Sequence, residues 1–190
     1  MSTRPTGHKP NDLRQINRFI TDHNDIGEAV FSTALPELLP GKKQYNDAVF
    51  SLGYCTNERP VTLAGNKDLN SYAAYLKDPQ GIVVPGGTVA RYVDMAPDSI
   101  SPMHRTVSLD YGVVLEGEIE LVLDSGEVRR LMRGDLAVQR GTMHAWRNPS
   151  KTEWARMLYF LQESHTVEVS GGRKLGEDYG DMEGVKASGN

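Results

Sequence analysis

Between Gly81 and Gln162 the chain is a succession of short β-prone runs, each closed by glycine, aspartate or asparagine. "TVARYVDMAP", "HRTVSLDYGVVLEG", "EIELVLDSGE", "VRRLMRGD", "LAVQRGTMHAWRN" and "TEWARMLYFLQE" follow one another without a helical period between them. Turn signals at a spacing of roughly ten residues point to an all-β barrel or sandwich. The reading is therefore a jelly-roll of two antiparallel sheets, with "IVV" at 82–84 taken as its first strand. Gly117, Gly126, Gly134 and Gly141 are read as turn residues supplying positive φ.

At 190 residues the chain has room for one well-cored domain and extensions. Residues 1–12, rich in Pro, Thr, Gly and Asn, read as a flexible arm. Residues 13–81 form an N-terminal extension that packs on the barrel or on a dimer partner. Within it, "INRFITDHNDIG" reads as a strand entering a turn at Asn24-Asp25, and "EAVFSTALP" and "DAVFSLGYC" as further strands. A short helix is predicted over 67–77, because Leu69, Tyr72, Ala73 and Leu76 share one helical face and Pro79 stops it. The barrel spans 82–164, and 165–190 reads as a C-terminal tail. Apolar strands beyond the needs of one barrel predict a homodimer.

Lysine and arginine number 21 against 25 acidic residues, a net charge of −4, and no basic run is present. Nucleic acid and acidic lipid surfaces are therefore not the expected partners; a small-molecule substrate is. One cysteine, Cys55, allows neither an intrachain disulfide nor a thiolate cluster. The N-terminus lacks the apolar core of a signal peptide, and no apolar run nears the ~20 residues that cross a bilayer. A cytoplasmic protein is the expectation.

The chemistry-bearing residues lie in the barrel segment. On strand parity His104, Thr106, Ser108 and Asp110 share a face if the strand stays regular and no turn intervenes, and His144 follows a turn at Arg140-Gly141. Two histidines and a carboxylate converging in a small barrel form a facial metal triad with open positions. The other histidines, His8, His23 and His165, fall in the arm, a turn and the tail, and are read as surface.

At this point residues 98–148 resemble the two motifs of the cupin superfamily. The first runs glycine, five residues, His-x-His, three or four residues, glutamate, six residues, glycine. Here it becomes Asp98, His104, Thr106, Asp110 and Gly117, with five, three and six residues in the respective gaps. The second motif appears as "GDLAVQRGTMHAWRN", with Gly134, Gly141, His144 and Asn148 in place and Gln139 where a proline is usual. The resemblance implies a cupin barrel whose active-site residues are His104, Thr106, Asp110 and His144. It also implies a divalent ion (Zn, Mn, Ni or Fe) on His104, Asp110 and His144, and no organic cofactor. Thr106 stands where the family usually has a histidine, and a neutral hydroxyl is a poor ligand. Gln139, Trp146 and one of Arg91 or Tyr92, by the parity of "VARYVD", complete the pocket. Three functions compete. The preferred one is lyase or isomerase chemistry on an oxygenated metabolite: decarboxylation, dehydration or tautomerisation. The others are a non-haem dioxygenase and a non-catalytic binding barrel.

Overall fold

The computed structural model of the chain describes residues 10–43, 48–79 and 81–182, so His8 lies outside the described residues. Strands β1 (Thr21–His23) and β2 (Ala29–Phe31) make a hairpin about the Asn24-Asp25 turn. Then come β3 (Lys42–Lys43), β4 (Val49–Cys55), the helix α1 (Lys67–Lys77) and β5 (Thr88–Met95). The remaining strands are β6 (Ser108–Glu116), β7 (Glu118–Leu123), β8 (Val128–Met132), β9 (Leu136–Arg140), β10 (His144–Arg147) and β11 (Ala155–Glu163). A last hairpin, β12 (Val167–Val169) with β13 (Arg173–Leu175), lies in the segment read as tail.

Two antiparallel sheets form the barrel. One runs β3-β4-β5-β11-β6-β9 and the other β10-β7-β8. The all-β jelly-roll is thus the architecture, and its inward face follows the period of two. In β6, Ser108, Asp110, Gly112 and Val114 are buried while their neighbours are less so. Val93, Met95, Val114, Ile119, Leu131, Trp146 and Met157 fill one part of the interior. A second cluster joins Cys55, Val89 and Leu161 to Leu69 and Tyr72 of α1. Tyr72 is fully buried, and its hydroxyl donates to Leu52 O at 2.7 Å, which fixes the helix on β4.

The turns behave as the residue types require. Gly117, Gly126, Gly134 and Gly141 all have positive φ. Asp98, in the motif's first glycine place, also adopts positive φ (56°), a conformation aspartate tolerates better than most side chains. Residues 82–84 differ from expectation. They form bends rather than a strand, and Val83 and Val84 are buried in the α1 cluster. An apolar triplet satisfies burial equally well without a ladder, so its composition could not distinguish the two.

The N-terminal segment is tied to the barrel by a buried ion pair. Arg156 on β11 grips Asp94 on β5 through Nε and Nη2, at 2.5 and 2.7 Å. Asn11 Nδ2 donates to Asp94 Oδ2 at 2.8 Å, and Arg156 Nη1 donates to Arg14 O at 2.7 Å. Among the described residues no helix is long and apolar enough to cross a membrane.

Candidate active site

The segment from Ser99 to His104 runs antiparallel beside β10. Ser101 N donates to Trp146 O at 2.9 Å, and Trp146 N donates to Ser101 Oγ at 2.9 Å. His104 and His144 exchange backbone hydrogen bonds at 2.8 and 2.9 Å, so the two imidazoles stand side by side with ring centroids 4.3 Å apart. Asn148 locks the end of this arrangement. Fully buried, it turns Nδ2 toward the carbonyls of Met95, Ala96 and Glu153 and accepts from Ser150 N through Oδ1.

Both histidines have their tautomer set by the backbone. His104 Nδ1 is 2.8 Å from Pro102 O and His144 Nδ1 is 3.0 Å from Thr142 O. A carbonyl only accepts, so each Nδ1 carries the proton and each Nε2 keeps its lone pair. Burial pushes the His104 pKa down; burial, and then the neighbouring His104, push His144 down to about 3. The pair is neutral at physiological pH and presents two acceptor nitrogens.

Asp110 lies opposite Gln139 of β9 and Leu161 of β11. Its Oδ2 accepts from Thr106 Oγ1 at 3.3 Å, and Thr106 Oγ1 in turn accepts from Ser108 Oγ at 2.7 Å. Asp110 Oδ1 and Gln139 Nε2 are buried without a hydrogen-bond partner. Burial raises the Asp110 pKa to about 6, against the lowering effect of the Ser108 and Thr106 hydroxyls and the charge of Arg91. A carboxyl that titrates near neutrality is suited to both taking and returning a proton.

These groups line one cavity of about 100 Å³. His104, Thr106, Asp110, Gln139, His144 and Trp146, all named from sequence, are on its wall. The parity of β5 is settled in favour of Arg91, which lines the cavity with Val93 and Met95. Tyr92 does not; its ring packs over Gly53, where a Cβ would meet Cε2 at 3.3 Å. His23 and His165 are exposed, as read. Four residues sequence reasoning missed also contribute: Phe50, Ile100, Tyr159 and Met182. Tyr159 was findable, because it shares the parity of Met157 and Leu161 in "RMLYFLQ". It sits directly across from Gly112, where a Cβ would approach Tyr159 Cε1 to 2.9 Å, so the glycine makes room for the ring. Met182, in the segment read as tail, had no such signal. Arg105 and Asp178 bridge backbones there and bring it to the mouth.

A model of the cupin domain matches residues 91–160. Phomopsin biosynthesis cluster protein D of Diaporthe leptostromiformis is 51% identical over 84% of this chain and 85% of its own length. Oryzines biosynthesis cluster protein J of Aspergillus oryzae is 44% identical over 90% and 95%. A cupin-domain-containing oxidoreductase of Aspergillus ruber, fogC, is 43% identical over 86% and 80%.

The chain belongs to the cupin superfamily.

Against that membership, the donor set can be weighed for a divalent ion. Among the described residues no three His, Cys, Asp or Glu side chains cluster to hold a metal. The implied triad of His104, Asp110 and His144 lines the cupin cavity but is not gathered as a coordination set. The physical reason lies at Thr106. The place of the third imidazole holds a hydroxyl that engages Asp110 Oδ2, while Asp110 Oδ1 stays without a hydrogen-bond partner. By type these donors are the two-histidine, one-carboxylate set of a divalent ion, so the test of fit is their placement, which does not gather them about one ion position among the described residues.

Proposed function

We propose that this cupin is a biosynthetic enzyme that moves protons on a small oxygenated metabolite, as a lyase or isomerase. The observation that carries the reading is the composition of the cavity. A Ser108–Thr106–Asp110 hydrogen-bond chain, two imidazoles with bare Nε2, the Gln139 amide and one guanidinium stand in a mostly apolar chamber. Buried polar groups of this kind are costly unless a ligand completes them.

In the proposed reaction ionised Asp110 removes a proton from the carbon next to a carbonyl; the C–H electron pair forms a C=C bond and the carbonyl π pair moves onto oxygen, giving an enolate. In tautomerisation the proton is returned to a different atom of the enolate. In dehydration the enolate collapses to a C=C bond, the β-hydroxyl leaves, and the proton on Asp110 converts it to water. His104 and His144 accept hydrogen bonds from substrate hydroxyls through Nε2 and so orient the molecule. Thr106 positions Asp110. Relatives named for phomopsin and oryzines biosynthesis clusters support a place in a biosynthetic sequence.

The names of relatives at 37–43% identity favour a second reading, an oxidoreductase. One experiment separates the two. Chelator-treated protein is incubated without oxygen or nicotinamide in D2O with β-keto and β-hydroxy carbonyl compounds. Deuterium appearing at the carbon next to the carbonyl, and lost in Asp110→Asn, supports proton transfer. Turnover that requires O2 or a nicotinamide replaces that reading with the second.

A further inference from the structure

Arg91 is a positive charge on the wall of an apolar cavity, and among the described residues no carboxylate stands within ion-pair distance of it. Its guanidinium makes one long hydrogen bond, Nη2 to Gly81 O at 3.4 Å, and lies 5.9 Å from the centre of the Phe50 ring. The same pair of strands shows what the fold does when a buried arginine is structural: Arg156 holds Asp94 with two short bonds. Arg91 faces the neutral Tyr159 across the ladder instead.

Two of the polar groups near it are neutral. Burial pushes the Cys55 thiol up to about 12 and the Tyr159 phenol well above its ordinary value, so neither is ionised. The Tyr159 hydroxyl is turned to Met157 Sδ at 2.9 Å. Asp110, the one acidic side chain on the cavity wall among the described residues, has one oxygen on Thr106 and acts on Arg91 only at longer range. A guanidinium does not relieve its burial by losing a proton, so an unpaired one in this setting favours an anion from outside.

We propose that Arg91 anchors an anionic oxygen of the ligand, a carboxylate or an ionised enol or phenol, carried on a small planar apolar body. The planar fork of the guanidinium suits such oxygens. The body follows from the walls: Phe50, Trp146 and Tyr159 present rings, with Trp146 and Tyr159 edge-to-face at 5.5 Å. The volume of about 100 Å³ is of the order of the ~150 Å³ cavity that takes up benzene. One ring-sized group therefore fills it, and larger substituents extend past Ile100 and Met182. This deepens the proposed function by giving its substrate class, and it rests on that reading for the reaction but not for binding.

The test is isothermal titration of the full chain at pH 8 with benzoate, 4-nitrophenolate and the neutral isostere benzamide. At least one anion is expected to bind about tenfold or more tightly than benzamide, the scale of a charge-assisted pair. Which anion wins distinguishes a carboxylate from an enol- or phenol-type oxygen. Arg91→Gln is expected to lose the preference and Arg91→Lys to keep part of it. Equal binding of benzamide and both anions by the unmodified protein overturns the proposal, and this arm needs no variant to fold. Retained preference in folded Arg91→Gln overturns it equally. Asp110→Asn is expected to keep the anion preference while losing proton transfer, so the two readings fail separately.

Discussion

Replacing Asp110 by asparagine should make the protein more stable at neutral pH and inactive. Asp110 is buried, with one oxygen on Thr106 and the other unpartnered, and its pKa is raised from 3.8 to about 6. For an acid with a raised folded-state pKa the native state binds the proton more tightly than the unfolded chain. The penalty of ionising it is absent below pH ~3.8, grows between ~3.8 and ~6, and is complete above ~6. A displacement of this size corresponds to about 3 kcal/mol. The groups facing Asp110 are Arg91 from β5, Tyr159 and Leu161 from β11, Gln139 from β9, and Thr106 and Ser108 beside it. The histidine shifts arise from burial and, for His144, also from His104, with no contribution from Asp110, so they enter both proteins alike and cancel in the difference. Urea unfolding of both proteins at pH 4 and pH 7.5 gives the answer. The stability of Asp110→Asn minus that of the parent should rise by about 2–3 kcal/mol between the two pH values. Any constant cost of the amide appears at both and drops out. A difference that is flat with pH, or that falls, refutes the account of Asp110 as a buried carboxyl held near neutrality.

Asp94→Ala should cost about 3–5 kcal/mol in the same assay, because it leaves Arg156 buried without its bidentate partner and frees Asn11. His104→Ala and His144→Ala, shown folded by circular dichroism, should each lower kcat/KM by roughly a hundredfold or more, since each removes an orienting acceptor. Metal analysis should find well under one equivalent bound to the described donor set, and activity should survive chelator; loss of activity restored by one divalent ion would refute this. A homodimer is expected by light scattering at micromolar concentration. Phe19 and Phe31 of the N-terminal segment are 60% and 67% exposed, and Leu136 and Val138 lie exposed on β9, an edge strand.

The sequence by itself determined the barrel and the residue types that line its cavity. Alternation in β6 is written in the residues, because a buried strand face can tolerate only apolar, small or partnered side chains at every second place. Motif spacing assigned His104 and His144 to one cavity, and residue type put the four turn glycines at positive φ, a local requirement of the backbone. The tertiary structure decided what parity alone leaves symmetrical. A strand has two faces, and only pairing of β5 with β4 and β11 turned Arg91 inward and Tyr92 outward onto Gly53. Thr106 is by type a poor ligand and a fit partner for Asp110, and the structure supplies the distance of that hydrogen bond. Residues 82–84 became buried bends, and Met182 reached the cavity mouth from far along the chain, because burial and long-range closure depend on partners that no local window contains.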